Sequence, residues 1–337
     1  MTRSSAPGVL IAVAVLIAAL VLAFTVGRYP AGLGDLFDVI VAKLTGGTAH
    51  VPAAAVDVLL QVRGPRVLAA VLVGAALAVA GTAFQGLFRN PLVSPDLLGA
   101  SSGAALGAVF GIYFSLGVLA IEACAFAGGL AAVAAVYLIG SAMRARDPIL
   151  VLVLTGVVIG ALLGSGIGLM KYIADPYNQL PAITFWLLGS LAATTASDLL
   201  PLFVPVAFGT AVLLALRWRM NVMSLPDEEA RALGVATGPL RVVVITAAAL
   251  VTSASVAAAG IIGWVGLVVP HIARTLVGPD FARLLPTAAL LGGGFLLAID
   301  TLARTATTTE IPLGILTSLV GTPFFVWLLA GMSKTWS

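Results

Sequence analysis

Gly8 to Val26 is a run of nineteen apolar or small residues without a charge. A helix of about 20 such residues crosses the hydrocarbon core of a bilayer, and comparable runs recur down the whole sequence. Spans are expected at about 8–27, 66–88, 119–143, 149–173, 199–216, 240–259, 285–302 and 312–331, with shorter ones at 97–114 and 261–269. That makes ten. A further short apolar piece covers 183–191, and residues 28–61 are too mixed to span. A secretory signal would have a shorter apolar core and a small-residue cleavage site, so the first run reads as an uncleaved span. The chain is expected to be one polytopic transmembrane domain over 1–337.

Composition agrees. The sequence is 61% apolar and 9% charged, where soluble domains carry about 25% charge. The net charge of +3 comes from 17 basic residues spread over the chain. They form no basic stripe, so a nucleic-acid partner is not expected. Lipid is the expected surrounding. Cys124 is the only cysteine, which leaves no internal disulfide and no Cys-rich metal site.

Basic residues are expected to favour the cytoplasmic side. With the N-terminus inside, Arg3, Arg89, Arg144, Arg146, Arg217, Arg219, Arg231, Arg241, Arg274, Arg283 and Lys334 are cytoplasmic. Arg28, Lys43, Arg63, Arg66, Lys171 and Arg304 are outside. The expectation is a multi-pass protein of the cell (inner) membrane with both termini in the cytoplasm.

Gly99, Gly103, Gly107 and Gly111 recur every four residues in the third span, and Gly156, Gly160, Gly164 and Gly168 do so in the fifth. A period of four keeps each set on one helix face. Such a face allows close backbone packing, or it forms the smooth wall of a wide pathway; the two roles can coexist on one helix.

Ion-coupled transporters carry ionisable residues inside their spans. Here the span interiors are almost clean. Asp300 and Arg304 are the main exception, spaced as an i,i+4 ion pair, and Glu122 falls near an interface. The sequence has no phosphate-binding loop, no HExxH and no His/Cys cluster, so no catalytic residue, metal site or cofactor is expected. Energy for transport would then come from a partner. The polar loop 217–238 is the expected contact. Leu225-Pro226-Asp227-Glu228 reads as a helix start, with Pro early and acids at the positive dipole end, and Gly234 as its stop. Leu225, Ala230 and Leu233 would be its apolar contacts.

Several stretches together carry a resemblance. They are Arg63-Gly64-Pro65-Arg66, Gln85-Gly86-Leu87-Phe88-Arg89-Asn90-Pro91-Leu92, Leu98-Gly99-Ala100-Ser101-Ser102-Gly103-Ala104, Trp186-Leu187-Leu188-Gly189-Ser190, the loop Glu228–Gly234, Gly263-Trp264-Val265-Gly266-Leu267-Val268-Val269-Pro270-His271, Asp300-Thr301-Leu302-Ala303-Arg304 and Glu310-Ile311-Pro312-Leu313-Gly314. In order and spacing, over roughly 60–330, the sequence resembles the FecCD family of ABC importer permeases, which handle iron–siderophore, haem and vitamin B12 uptake.

The resemblance implies an all-α, inverted-repeat type II importer permease of ten spans, working as a homodimer. Two cytoplasmic ATP-binding subunits and an extracytoplasmic substrate-binding protein are its implied partners. It assigns Leu225, Pro226, Asp227, Glu228, Glu229, Ala230, Arg231, Leu233 and Gly234 to coupling with the ATPase. Pro226 stands where the family commonly has Gly. Arg63, Arg66 and Arg304 match positions that meet acidic residues of the binding protein, and Asn90 matches the cytoplasmic gate. The implied cargo is an iron chelate, with haem, a corrinoid or molybdate as alternatives. The competing reading is an ion-coupled secondary transporter with inverted repeats, which the scarcity of intramembrane charge disfavours.

Overall fold

The computed structural model describes residues 6–27, 29, 32–48, 50–143 and 148–333. Arg3, Arg28, Arg144, Arg146 and Lys334, which entered the charge count, lie outside these. Among the described residues the chain is helical, with no strand. In order the helices are α1 (Ala6–Thr25), α2 (Leu33–Thr45), α3 (Ala53–Asp57), α4 (Gly64–Leu87), α5 (Ala100–Tyr113), α6 (Val118–Ala142), α7 (Pro148–Ile173) and α8 (Gln179–Leu187). They continue as α9 (Ala196–Ala215), α10 (Arg217–Met223), α11 (Asp227–Ala232), α12 (Thr237–Ala259), α13 (Val265–Val277), α14 (Phe281–Thr305) and α15 (Leu313–Ser333).

Seven of these segments are long and apolar enough to cross a membrane, and α5, α13 and α15 add three shorter apolar helices. The ten coincide in order with the expected spans. The stretch 53–87 is one continuous helical path, because a π-helical turn, Val58–Arg63, joins α3 to α4. Its wider i→i+5 turns set Arg63 and Arg66 at the entrance of α4. Residues 28–61, read from sequence as too mixed to span, hold two short helices, α2 and α3, for which the sequence reading made no assignment.

The interior is built by α4, α12 and α14, whose apolar windows are mostly enclosed, while α1, α6, α7 and α9 show most of their surface. In lipid there is no water to drive apolar side chains together, so close backbone approach carries the packing. Gly74 of α4 faces the Gly292 carbonyl of α14, and Gly81 faces the Gly266 carbonyl of α13. A methyl group at either glycine would overlap the opposing backbone.

Two chain breaks lie inside the bundle. Before α5, Pro95–Leu98 forms a 3-10 turn that Gly99 (φ 78°) redirects into the helix. Between α12 and α13, Gly260–Trp264 is non-helical. Irregular backbone at such depth survives only if protein satisfies its polar groups. Here it does. Ser190 donates its N–H to the Ala259 carbonyl at 2.9 Å, and Leu313 and Gly314 donate theirs to the Gly189 and Leu188 carbonyls at 3.0 Å. Gly189 (φ 74°) and Gly260 (φ 70°) sit back to back, where neither a side chain nor a right-handed conformation fits.

The eighth span departs from expectation. It was expected at 261–269, ending before Pro270, yet α13 starts at Val265 and runs through Pro270 to Val277. Pro270 has no N–H for the carbonyl four residues earlier, which belongs to Gly266. Gln85 of α4 supplies the missing donor, its Nε2 lying 3.4 Å from Gly266 O and 3.3 Å from Leu267 O. The Gln85 carbonyl oxygen in turn accepts from Arg274 at 3.2 Å.

Candidate functional site

The two ends of the bundle carry different chemistry. At the end where α1 and α14 finish and α4 begins, Arg63, Arg66 and Arg304 converge. Arg63 and Arg66 share a face of the helix entrance, three residues apart. The guanidinium of Arg66 donates to Asp300 at 3.0–3.1 Å and to Glu310 through two bonds of 2.9 Å. This two-sided fork is what guanidinium geometry favours. Arg63 donates to the Phe24 and Tyr29 carbonyls, and Arg304 to the Ala23 carbonyl. Arg304 Nε lies 3.9 Å from Asp300 and has no hydrogen-bond partner.

These side chains line a cavity of about 240 Å³ together with Gly27, Tyr29, Val62 and Glu310. Arg63 is 5% exposed and Arg66 9%. The three arginines thus have internal partners that sequence reading did not supply, and they face a pocket rather than an open plain. Their charge exceeds that of Asp300 and Glu310 by one, so the pocket keeps a positive balance. Asp300, read from sequence as an i,i+4 partner of Arg304, is held chiefly by Arg66.

At the opposite end α11 forms where the sequence placed it. Pro226 is its N-cap residue, and Asp227, Glu228 and Glu229 fill its first turn. Gly234 (φ 81°) ends it, with Gly234 N–H on the Arg231 carbonyl at 2.9 Å and Val235 N–H on the Ala230 carbonyl at 3.1 Å. The left-handed residue after the last turn is a Schellman-type stop.

Asp227 is a junction. It accepts from Arg89, at the end of α4, at 2.6 Å and from Arg241, in α12, at 3.1 Å. Partial burial pushes its carboxyl up, but the hydrogen bonds and charges of the two arginines outweigh this and hold it below the usual carboxylate range. Arg89 also donates to the Met223 carbonyl at 3.0 Å. Ala230 is fully buried, so it seats α11 on the bundle instead of presenting a contact. Leu225, Pro226, Glu228, Glu229, Arg231, Leu233 and Gly234 are exposed. Asn90 is exposed in the adjoining turn, where its side chain accepts from Leu92 N–H at 2.9 Å.

The glycine ladders divide between two roles. In α5, Gly103 and Gly107 lie on the backbone of α6 at Gly128 and Cys124, and Gly111 lies on Ile121. In α7, Gly156 packs on the Leu97 carbonyl. By contrast, a carbon added at Gly160, Gly164 or Gly168 meets no atom within 4 Å. Those three form a bare strip on α7.

Gln85 and Trp264 stand out as residues whose placement sequence reasoning missed. Trp264 adopts φ 70° at the start of α13, an uncommon conformation for a bulky residue. Its ring lies 6.1 Å from that of Phe325, edge to face, and fills the space beside Gly321 of α15. Its place in the motif Gly263–His271 was the only signal in the sequence.

The profile of the FecCD transport family matches residues 15–331. The chain is 39% identical over 305 residues to the molybdate import system permease protein MolB of Haemophilus influenzae, covering 90% of each chain. It is 42% identical to the cobalamin import system permease protein BtuC of Halobacterium salinarum (83% of this chain, 75% of that one). It is 44% identical to the hemin transport system permease protein HmuU of Yersinia pestis (80% and 82%). Among solved structures it superimposes on an inward-facing metal-chelate type ABC transporter with a TM-score of 0.86, at 36% identity over 96% of this chain and 98% of that one. The chain is a multi-pass membrane permease and belongs to the FecCD transport family.

Proposed function

We propose that this permease is the membrane-spanning half of an ATP-driven importer that carries a metal chelate inward, an iron–siderophore complex being the first choice. Two copies form the pathway, two ATP-binding subunits sit in the cytoplasm, and a substrate-binding protein delivers cargo from outside, with both termini on the ATPase side. The observation that carries this reading is the contrast within residues 225–233, α11 and its two flanks. Asp227 and Ala230 tie it to α4 and α12, while Leu225, Glu228, Glu229 and Leu233 stand free for a partner. A helix fixed on one side and open on the other can transmit movement from an ATPase into the spans.

The arginine pocket is the docking site in this proposal. Carboxylates of the binding protein would compete with Glu310 for Arg66 and engage Arg63 and Arg304. Asn90 closes the cytoplasmic end, and the bare glycine strip of α7 faces the moving cargo.

The test is ATP-dependent uptake in proteoliposomes containing the permease and its ATPase partner. Joint Glu228→Lys, Glu229→Lys and Leu233→Asp should release the ATPase from an intact permease. If the complex stays assembled and coupled, the coupling role of α11 is wrong. Joint Arg63→Gln and Arg304→Gln, which leaves the buried Arg66–Asp300–Glu310 cluster in place, should cut uptake strongly while the basal ATPase activity of the complex remains. Calorimetry of the cognate binding protein against an iron–siderophore, haem, cobalamin and molybdate identifies the cargo.

A further inference from the structure

Helix α2 has two apolar faces, and the protein covers only one. Val39 is buried against Leu59, with Leu36 and Phe24 packed around them. On another face Leu33, Phe37, Ile40, Val41 and Leu44 are 52, 71, 44, 37 and 81% exposed. Their spacing of i, i+4, i+7, i+8 and i+11 puts all five on one stripe about 100° wide. Opposite that stripe lie Asp35, Asp38 and Ala42. Asp35 accepts the Gly32 N–H at 2.8 Å and Asp38 accepts the His50 N–H, so the polar face is also locally ordered.

The place of α2 in the fold identifies what covers the stripe. It packs beside α1, a membrane span whose last turns leave Val21, Leu22 and Val26 exposed. The edge of the bilayer therefore runs alongside α2. The stripe itself holds no charge that could select an acidic or basic protein surface. A cover that came and went with each transport cycle would leave five large apolar side chains bare in water between visits. The membrane is present throughout.

We infer that α2 is an interfacial helix, with Leu33, Phe37, Ile40, Val41 and Leu44 sunk into the boundary between phospholipid headgroups and acyl chains. Asp35 and Asp38, half-buried and accepting backbone N–H groups, lie off the stripe, as the polar side of an in-plane amphipathic helix does. By packing on Leu59 it also steadies the π-helical turn that carries Arg63. The inference needs only the multi-pass placement of the chain and stands apart from the proposed docking role.

The full permease, assembled with its ATPase partner in phosphatidylethanolamine–phosphatidylglycerol vesicles, provides the test. In a Cys124→Ser background, nitroxides are attached singly at Leu33→Cys, Phe37→Cys, Asp38→Cys, Ile40→Cys, Ala42→Cys and Leu44→Cys. Positions 33, 37, 40 and 44 should collide with oxygen several-fold more, relative to a water-soluble nickel chelate, than positions 38 and 42. Adding the binding protein should not change this. Water-like collisions at every position would overturn the inference. So would shielding that appears only with the binding protein, or dipolar broadening that places a second copy on the stripe. The unlabelled wild-type chain gives an independent reading: a phospholipid with a diazirine near its headgroup should crosslink to residues 33–45, and a lack of crosslinks there would also count against it.

Discussion

Arg66 and Asp300, 234 positions apart in sequence, share three hydrogen bonds of 3.0–3.1 Å between the first turn of α4 and the last turns of α14. The side chain of Asp300 is 1% exposed and that of Arg66 10%. Removing one member of such a pair strands a charge, at a typical cost of about 3–5 kcal/mol. Asp300→Ala should therefore lower the thermal unfolding temperature of the purified permease sharply. Joint Arg66→Met and Asp300→Leu should lower it by less than the sum of the two single changes, because the buried guanidinium and carboxylate leave together, while Glu310, 34% exposed, can turn to water. Additive losses would mean that the two residues act independently.

Asp227 supports a pH prediction. Its folded carboxyl titrates below the usual carboxylate range because Arg89 and Arg241 hold the charged form. The stability it contributes is present above the unfolded value of about 3.9, and is lost as pH falls through the lower folded value. Both ion pairs are partly solvated, with Asp227 27% exposed, so each contributes only about 1 kcal/mol. Asp227→Asn should be slightly less stable than wild type at pH 7, and the gap should close in acid. Unfolding temperatures measured from pH 7 to pH 3 check this, and a constant gap would rule it out.

Gln85 occupies the position that lets α13 pass through Pro270. Gln85→Leu removes the donor to Gly266 and the acceptor for Arg274 together, at a cost of about 1–3 kcal/mol for each buried group left unpaired. Gln85→Glu keeps the acceptor, and strengthens it with a charge, but loses the amide donor. The expected order of thermal stability is wild type, then Gln85→Glu, then Gln85→Leu. Equal stability of all three would show that the Gly266 carbonyl finds another donor.

The ten spans were legible because lipid demands long apolar runs, and the chain supplies them with charged or proline punctuation. The helix at 227–232 was legible for a local reason: Pro226, three acids and Gly234 mark its two ends. What the sequence hid was long-range. Nothing near Pro270 signals that a glutamine 185 positions earlier would carry the helix onward. Nothing near Arg66 signals Asp300 and Glu310. Helix α2 was missed because its charges suit a loop, while its apolar stripe shows only when the run is read at helical period.

The glycine ladders give the last prediction, since identical spacing serves different ends on α5 and α7. Gly107 lies against the Cys124 backbone, so Gly107→Leu must push α5 and α6 apart and should destabilise the fold by several kcal/mol, in the range of overpacking. At Gly164 an added carbon meets nothing within 4 Å. There Gly164→Ala should leave stability unchanged or raise it by up to about 1 kcal/mol through helix propensity. Gly164→Trp should also fold, because the space is open, and should block uptake if the strip lines the pathway. Unfolding temperature and uptake, measured on the same preparations, separate the two ladders. Normal uptake with tryptophan at position 164 would move the pathway away from that face of α7.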